Sequence, residues 1–350
     1  MLPDRILQIA YSYRAAKAVM SAVELDLFTI LSDGPLASGT LIRRAGLHGR
    51  GARDFLDALV ALQLLERDEH DRYGNTAVAD AYLDRNKPAY LGFLIEHIDR
   101  SEYPRWQTLI QALRTGESQT SVGPSGNYPA RYSNRDTLDA FVRGMTSASL
   151  PVAAALARRF PWHEYATFVD IGTAQGAVPV VIAAAQPHIK GGGFDLPPVE
   201  PAFRSYVAER GLSDRLRFHA GNFFSDPLPS ADVMIMGRVL HNWDLPTKQM
   251  LLQKAYRALP ENGAIIVYER LIDDERVNAS GLLSSLNMLV MTSGGFDFTG
   301  ADCMGWMRAA GFQNMRIEPL SDDHSMVVGY KRTLLRSALG GEHWVRTSRQ

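Results

Sequence analysis

From Thr167 onward the chain alternates short buried strands with helices, and this alternation limits the possible fold more than any other feature. Phe168-Val-Asp-Ile, Gly192-Gly-Phe-Asp195, Leu216-Arg-Phe-His, Asp232-Val-Met-Ile-Met and Ala264-Ile-Ile-Val-Tyr-Glu269 read as five strands. Val178–Ala185, Val199–Glu209 and Lys248–Ala258 read as helices between them. Pro179 falls in the first turn of its helix, where the missing N–H does no harm. Strands that return through helices lie parallel, with helices on both faces. The expected fold is therefore α/β, with a doubly wound, mainly parallel sheet. Two late strands, Met315–Pro319 and Ser325–Tyr330, can add an antiparallel pair.

The first half of the chain is different. At roughly 150 residues per domain, 350 residues predict about two domains. Residues 1 to about 30 carry Ile6, Ile9, Ala10, Tyr13, Ala16, Val19, Met20, Val23 and Leu27 at three- and four-residue steps, the spacing of an amphipathic helix. So broad a stripe fits either packing on the chain's own core or a dimer interface. Residues 40–86 read as helix, helix and two-stranded wing, with Arg50 and Arg53 early in the second helix. Asp68, Glu69 and Asp71 at the wing tip would repel phosphate, which favours a scaffold over a DNA reader. Residues 88–160 read as mostly helical, broken by a long Gly/Ser/Pro/Tyr-rich loop at 116–134. The tail from Leu334 is weakly patterned.

Composition narrows the function. Lys+Arg is 37 and Asp+Glu 38, a net charge of −1, so there is no basic excess to neutralise nucleic-acid phosphates. The single cysteine, Cys303, excludes an intrachain disulfide and cysteine metal clusters. Ala177–Ala185, the most apolar run, is about half a membrane span, and no signal-peptide pattern opens the chain. The expectation is a cytoplasmic protein with neither a nucleic-acid nor a membrane partner.

Two segments carry the chemistry. Asp170-Ile-Gly172-Thr-Ala-Gln-Gly176 joins a strand to a helix, with glycines where a backbone must approach a ligand. Asp195 ends the next strand, where a carboxylate can accept both hydroxyls of a ribose, and Asn222-Phe223 follows the third. Together these fit an adenosine-containing cofactor. After the fourth strand comes Arg238-Val-Leu-His241-Asn-Trp243-Asp, whose histidine can take a proton from a hydroxyl group. Trp243 offers a flat face to an adenine. Glu269 ends the fifth strand and Asp297 follows a later helix; acids near an imidazole fix its tautomer and stabilise its cation. No dense Asp/His cluster at ligand spacing calls for a metal.

At these residues the chain resembles the metal-independent, S-adenosylmethionine-dependent small-molecule O-methyltransferases, from about residue 10 to 331. The family's D-x-G-G-G-x-G loop is matched by Asp170, Gly172 and Gly176, with Thr173 and Ala174 departing. Its D-L-P-x-V ribose segment is matched by Asp195–Val199, and its G-D-F/M-F segment by Gly221-Asn222-Phe223-Phe224. Its catalytic H-D-W appears as His241-Asn242-Trp243, and its two flanking acids as Glu269 and Asp297, the latter in place of Glu. The resemblance implies a winged-helix-like dimerisation domain over 1–100 and a helical linker and pocket region over 101–160. A Rossmann-like methyltransferase domain over 161–332 and a tail over 333–350 follow.

It further implies that S-adenosylmethionine is held by Asp170, Gly172, Gly176, Asp195, Asn222, Phe223, Arg238 and Trp243. His241 would be the general base, supported by Glu269 and Asp297, with no metal. Met145, Met288, Met291 and Trp306 are candidates for the substrate pocket. The expected product is the methyl ether of a hydroxylated small molecule, with an aromatic hydroxyl favoured because its acidity suits a histidine base. The expected assembly is a homodimer through the N-terminal domain. Asn242 and Asp297 keep open a non-methylating enzyme on the same fold, a hydroxylase or cyclase. A winged-helix ligand sensor is the remaining alternative.

Overall fold

A computed structural model of the protein describes residues 3–119, 132 and 134–331. Most of the loop at 116–134, with Tyr128, and the tail at 333–350 lie outside the described residues. The first helix, α1 (Asp4–Glu24), stops short of the predicted residue 30. Asp26 adopts a left-handed φ of 50°, and α2 (Leu27–Ile30) restarts beyond it. The apolar stripe divides at mid-helix. Val23, Leu27 and Phe28 are buried in the N-terminal core, whereas Ile6 and Ile9 are 72% and 65% exposed and Tyr13 is exposed too.

The strand β1 (Leu36–Ala37) leads into α3 (Ser38–Arg44). In α4 (Gly49–Ala61) regular helix follows the non-helical Arg50 and Gly51, the latter at φ 87°, close to where the sequence placed its start. β2 (Leu65–Arg67) and β3 (Arg72–Asn75) form a hairpin, and β1 completes a three-stranded sheet in the order β1-β3-β2. α5 (Ala77–Leu83) closes this unit, with Thr76 accepting the Ala79 N–H as its N-cap.

α6 (Gly92–His97) continues as a wide helical turn, Ile98–Glu102, and α7 (Leu109–Thr115) follows. α8 (Arg135–Arg159) is 25 residues long and packs against both α6 and α9 (Ala177–Ala185), joining the two halves of the molecule. It is long and apolar enough to cross a membrane by length and composition alone. Half of its apolar window is nevertheless buried in the protein, as in a core helix.

The second half is a seven-stranded sheet in the order β6-β5-β4-β7-β8-β10-β9. β4 (Thr167–Ile171), β5 (Lys190–Asp195), β6 (Leu216–Ala220), β7 (Val233–Gly237) and β8 (Ala264–Glu269) run parallel. β10 (Ser325–Tyr330) pairs antiparallel with β8 and with β9 (Gln313–Pro319). The helices α10 (Glu200–Ala208), α11 (Leu245–Ala258), α12 (Ala279–Met291) and α13 (Gly300–Ala310) complete the described fold. α11 starts three residues before the predicted Lys248 because Asp244 caps it, accepting the Thr247 N–H. This is a Rossmann-like sheet behind a mostly helical N-terminal domain.

The strand β5 runs Lys-Gly-Gly-Gly-Phe-Asp because its neighbours leave no room for side chains. A Cβ on Gly192 would stand 2.0 Å from the Arg217 carbonyl oxygen of β6, and one on Gly193 would meet the Thr173 methyl at 2.2 Å. The contact at Gly192 is with backbone that a paired strand holds in place. Gly192→Ala is expected to lower stability by about 1–3 kcal/mol, the range of an overpacked core. The check is the midpoint of reversible urea unfolding, which should fall.

Candidate active site

In this sheet the chain moves outward from β4 in one direction through β5 and β6, then returns to build β7 and β8 on the other side. A crevice opens at the carboxyl ends of the strands where the order reverses. A cavity of about 540 Å³ lies there, walled also by α6, α8 and α12.

The loop after β4 forms one wall. Gly172 and Gly176 take φ of 73° and 89°, and the Gly172 N–H donates to the Phe194 carbonyl at 2.8 Å. Ala174 also takes a left-handed φ of 50°, which costs a residue with a Cβ roughly 1–2 kcal/mol. Its N–H donates to Asp195 Oδ2 at 2.9 Å, while Asp195 Oδ1 accepts the Leu196 N–H at 2.8 Å. The glycine loop and the acid of β5 are therefore one hydrogen-bonded unit. Each Asp195 oxygen keeps lone-pair capacity for a further donor. Burial pushes Asp195 up to about 6, against these two N–H groups. Asp170, behind the loop, is raised to about 7 by burial, with Asp195 adding repulsion. Thr146 of α8 donates to Gln175 Oε1 at 3.0 Å, tying the same loop to the helical half.

Asn222 and Phe223 line the cavity beyond β6. The Asn222 Oδ1 accepts the Phe224 N–H at 3.0 Å, so the side chain presents its amide nitrogen end. Trp243 is nearly buried and stands edge-on to Phe223 and Phe224, with ring centres 5.7 and 4.8 Å apart. It braces these rings and also reaches the cavity wall.

On the opposite wall the turn after β7 carries Arg238, at φ 55°, and His241. The Asn242 Nδ2 donates to the Arg238 carbonyl at 3.0 Å, a bond a carboxylate in its place could not make. His241 is buried. Its Nδ1 lies 3.3 Å from Asp297 Oδ1 and 3.6 Å from Glu269 Oε2, and its backbone N–H faces Glu269 Oε1 at 3.3 Å. The shorter aspartate thus still reaches the imidazole. With Nδ1 engaged by the acids, Nε2 is the nitrogen on the outer edge of the ring. Burial works against the imidazolium, but Glu269 and Asp297 outweigh it and the His241 pKa is raised. Burial also pushes Glu269 up, to about 7, with Asp297 adding to it and His241 opposing. The ligand atoms of these three residues lie within 4.8 Å of one another.

Met145, Met288 and Met291 line the cavity, while Trp306 does not; this corrects its placement among the pocket residues. Trp306 packs edge-on to Phe298 at 4.9 Å and to Phe296 at 6.2 Å, the two rings that flank Asp297. The sequence reading missed a polar patch on the outer wall. Trp106 Nε1 donates to Asn287 Oδ1 at 2.8 Å, and Asn287 Nδ2 donates to Glu102 at 3.3 Å. The signal was present in α12, where Ser284, Asn287, Met288 and Met291 share one helical face.

Comparison with known proteins places the chain in a family. Residues 106–313 match the O-methyltransferase domain and residues 7–85 the O-methyltransferase dimerisation domain. The chain is 42% identical over 330 residues to the tetracenomycin polyketide synthesis 8-O-methyl transferase TcmO of Streptomyces glaucescens, covering 94% of this chain and 97% of that one. It is 40% identical over 285 residues to the N,N-dimethyltransferase OxyT of Streptomyces rimosus, covering 81% and 82%. The human N-acetylserotonin methyltransferase, solved in complex with S-adenosylmethionine, superimposes with a TM-score of 0.87 at 26% identity, over 95% of this chain and 99% of that one. The protein belongs to the S-adenosylmethionine-dependent O-methyltransferase family.

Proposed function

We propose that the protein methylates a phenolic hydroxyl of a polycyclic, polyketide-like molecule, with His241 as general base. The observation that carries this reading is the buried imidazole whose Nδ1 faces two carboxylates while its ring forms part of the cavity wall. When bound, S-adenosylmethionine supplies an electrophilic methyl group on a sulfonium sulfur. The residues fit such a group: Asp195 can accept from a ribose, and Phe223 and Asn222 offer an adenine a ring face and an amide. Gly172 and Gly176 bring the backbone close to the rest of the molecule.

His241 Nε2 takes the proton from the acceptor hydroxyl, which leaves the oxygen its electron pair for attack on the methyl carbon. Asp297 accepts from Nδ1–H, fixing the tautomer that keeps Nε2 basic, and Glu269 steadies the imidazolium once it forms. Met145, Met288 and Met291 give the acceptor an apolar seat, and the names of the related enzymes support an aromatic polyketide as the substrate class. The likeness to OxyT favours a second reading, an amine acceptor. A neutral amine attacks without prior deprotonation, so it would depend far less on His241.

His241→Ala is expected to leave cofactor binding nearly unchanged and to cut methyl transfer to hydroxylated polycyclic aromatics by about 10²–10⁴-fold. Turnover that is unchanged would remove the base from the mechanism. In the intact enzyme kcat/KM should fall as pH falls, because protonated Nε2 cannot accept. The raised pKa places the midpoint of that limb above the ordinary imidazole value of 6.5. Asp195→Ala should weaken S-adenosylhomocysteine binding by at least tenfold in calorimetry, the scale of a lost charge-assisted hydrogen bond. Equal affinity would place the ribose elsewhere.

The dimerisation domain and the exposed Ile6, Ile9 and Tyr13 of α1 support a homodimer through the N-terminal half. Light scattering at micromolar concentration should give twice the chain mass. Ile6→Glu combined with Ile9→Glu should shift it toward the monomer, and a wild-type monomer would contradict the assignment.

A further inference from the structure

The mechanism above makes no use of Lys248, yet this lysine is 0% exposed. A lysine at the first turns of a surface helix ordinarily extends its ammonium to water. Here the side chain turns inward from α11. Its Nζ donates to the Trp243 carbonyl oxygen. It also stands 3.3 Å from the centre of the Phe296 ring, with Phe298 at 5.6 Å and Trp306 at 6.0 Å. Trp243 lies two residues after His241, and Phe296 and Phe298 flank Asp297 on either side. One ammonium therefore joins the turn that carries the imidazole to the segment that carries its acid.

The charges give the same answer. The two buried carboxylates outnumber the one imidazole between them, and the charges of Arg238 and Lys248 both reach this group. Buried charges persist where they are paired and solvated by protein dipoles. An ammonium seated on the aromatic faces that flank Asp297 adds a second positive charge to that of Arg238. We propose that Lys248 is a positioning residue that locks the His241 turn against the Asp297 segment and adds positive charge close to the two buried acids. This rests on the reading of His241 as the base.

The groups facing this centre come from several elements. Asp244 lies on the N-cap of Lys248's own helix, Glu269 at the end of β8, and Asp297 after α12. Arg238, after β7, works against the His241 imidazolium, and His241 in turn adds to the lowering of His324, before β10. Burial lowers Lys248 to about 8 while Glu269, Asp297 and Asp244 pull it back, so the ammonium is retained at neutral pH.

The test uses Lys248→Met and Lys248→Gln in the full chain. Glutamine keeps a donor for the Trp243 carbonyl and removes only the charge, whereas methionine removes both. In protein labelled with 13C-histidine, the His241 signal is assigned by its absence from His241→Gln. With the positive charge gone, the buried cluster holds its proton more tightly. The His241 titration should therefore move up by about one pH unit in both variants, with calorimetric binding of S-adenosylhomocysteine unchanged. The acid limb of methyl transfer should move by the same amount, with kcat at pH 7 down by about tenfold and KM for the cofactor unchanged. A His241 titration that stays in place in the folded variants overturns the proposal.

Should neither variant fold, the 15N-lysine spectrum of the unaltered protein decides. A charged Lys248 ammonium at pH 7 supports the role, and a neutral amine contradicts it. Failure of the base reading is distinguishable, since it would show as intact turnover in His241→Ala whatever Lys248 does to the titration.

Discussion

The reversal of strand order at β4 is the constraint on which the site depends. β4 pairs with β5 on one side and β7 on the other, all parallel. Their carboxyl ends therefore open side by side. The Gly172–Gly176 loop leaves β4, Asp195 ends β5, and the His241 turn leaves β7. Hydrogen bonds in the sheet fix the separation of these chain exits, and helices on both faces hold the sheet. A loop, an acid and an imidazole remote in sequence thus meet around one cavity.

Within that frame the energetics concern buried charge. Asp195, Asp170, Glu269 and Asp297 are all buried, and burial of a carboxylate is costly unless donors or cations meet it. Asp195 is met by two backbone N–H groups, and Glu269 by the His241 backbone N–H and ring. Burial is what raises Glu269, while the histidine is raised by its two acids against its own burial. Such tension is usual where a proton must move, and it is absent from the well-paired surface charges of the N-terminal half.

Much of this was legible in the sequence because sheet periodicity and strand ends are local signals. His241 and Glu269 were found at the carboxyl ends of strands, and Asp195 from its distance to the glycine loop. Asp297 lies after a helix in a segment with no regular period; the sequence offered it as an acid for the imidazole, and the resemblance added its place in a family motif. Trp306 was misplaced because helical spacing alone does not say which neighbour a large ring meets; it packs on Phe296 and Phe298. The α1 stripe read as one surface, but a single chain covers only its second half. Lys248 and the Glu102–Asn287 pair escaped notice because a polar residue at helical spacing reads as a solvated one, and only the tertiary contacts reveal its burial.

The account makes a geometric claim: cofactor, base and acceptor share the crevice with the transferring carbon on the Nε2 side of His241. A crystal structure of the protein with S-adenosylhomocysteine measures this most directly. The prediction is a ribose whose hydroxyls meet Asp195, an adenine beside Phe223, and a sulfur directed toward the space in front of His241 Nε2. A sulfur on the far side of the cavity from His241, or a ribose out of reach of Asp195, would contradict it.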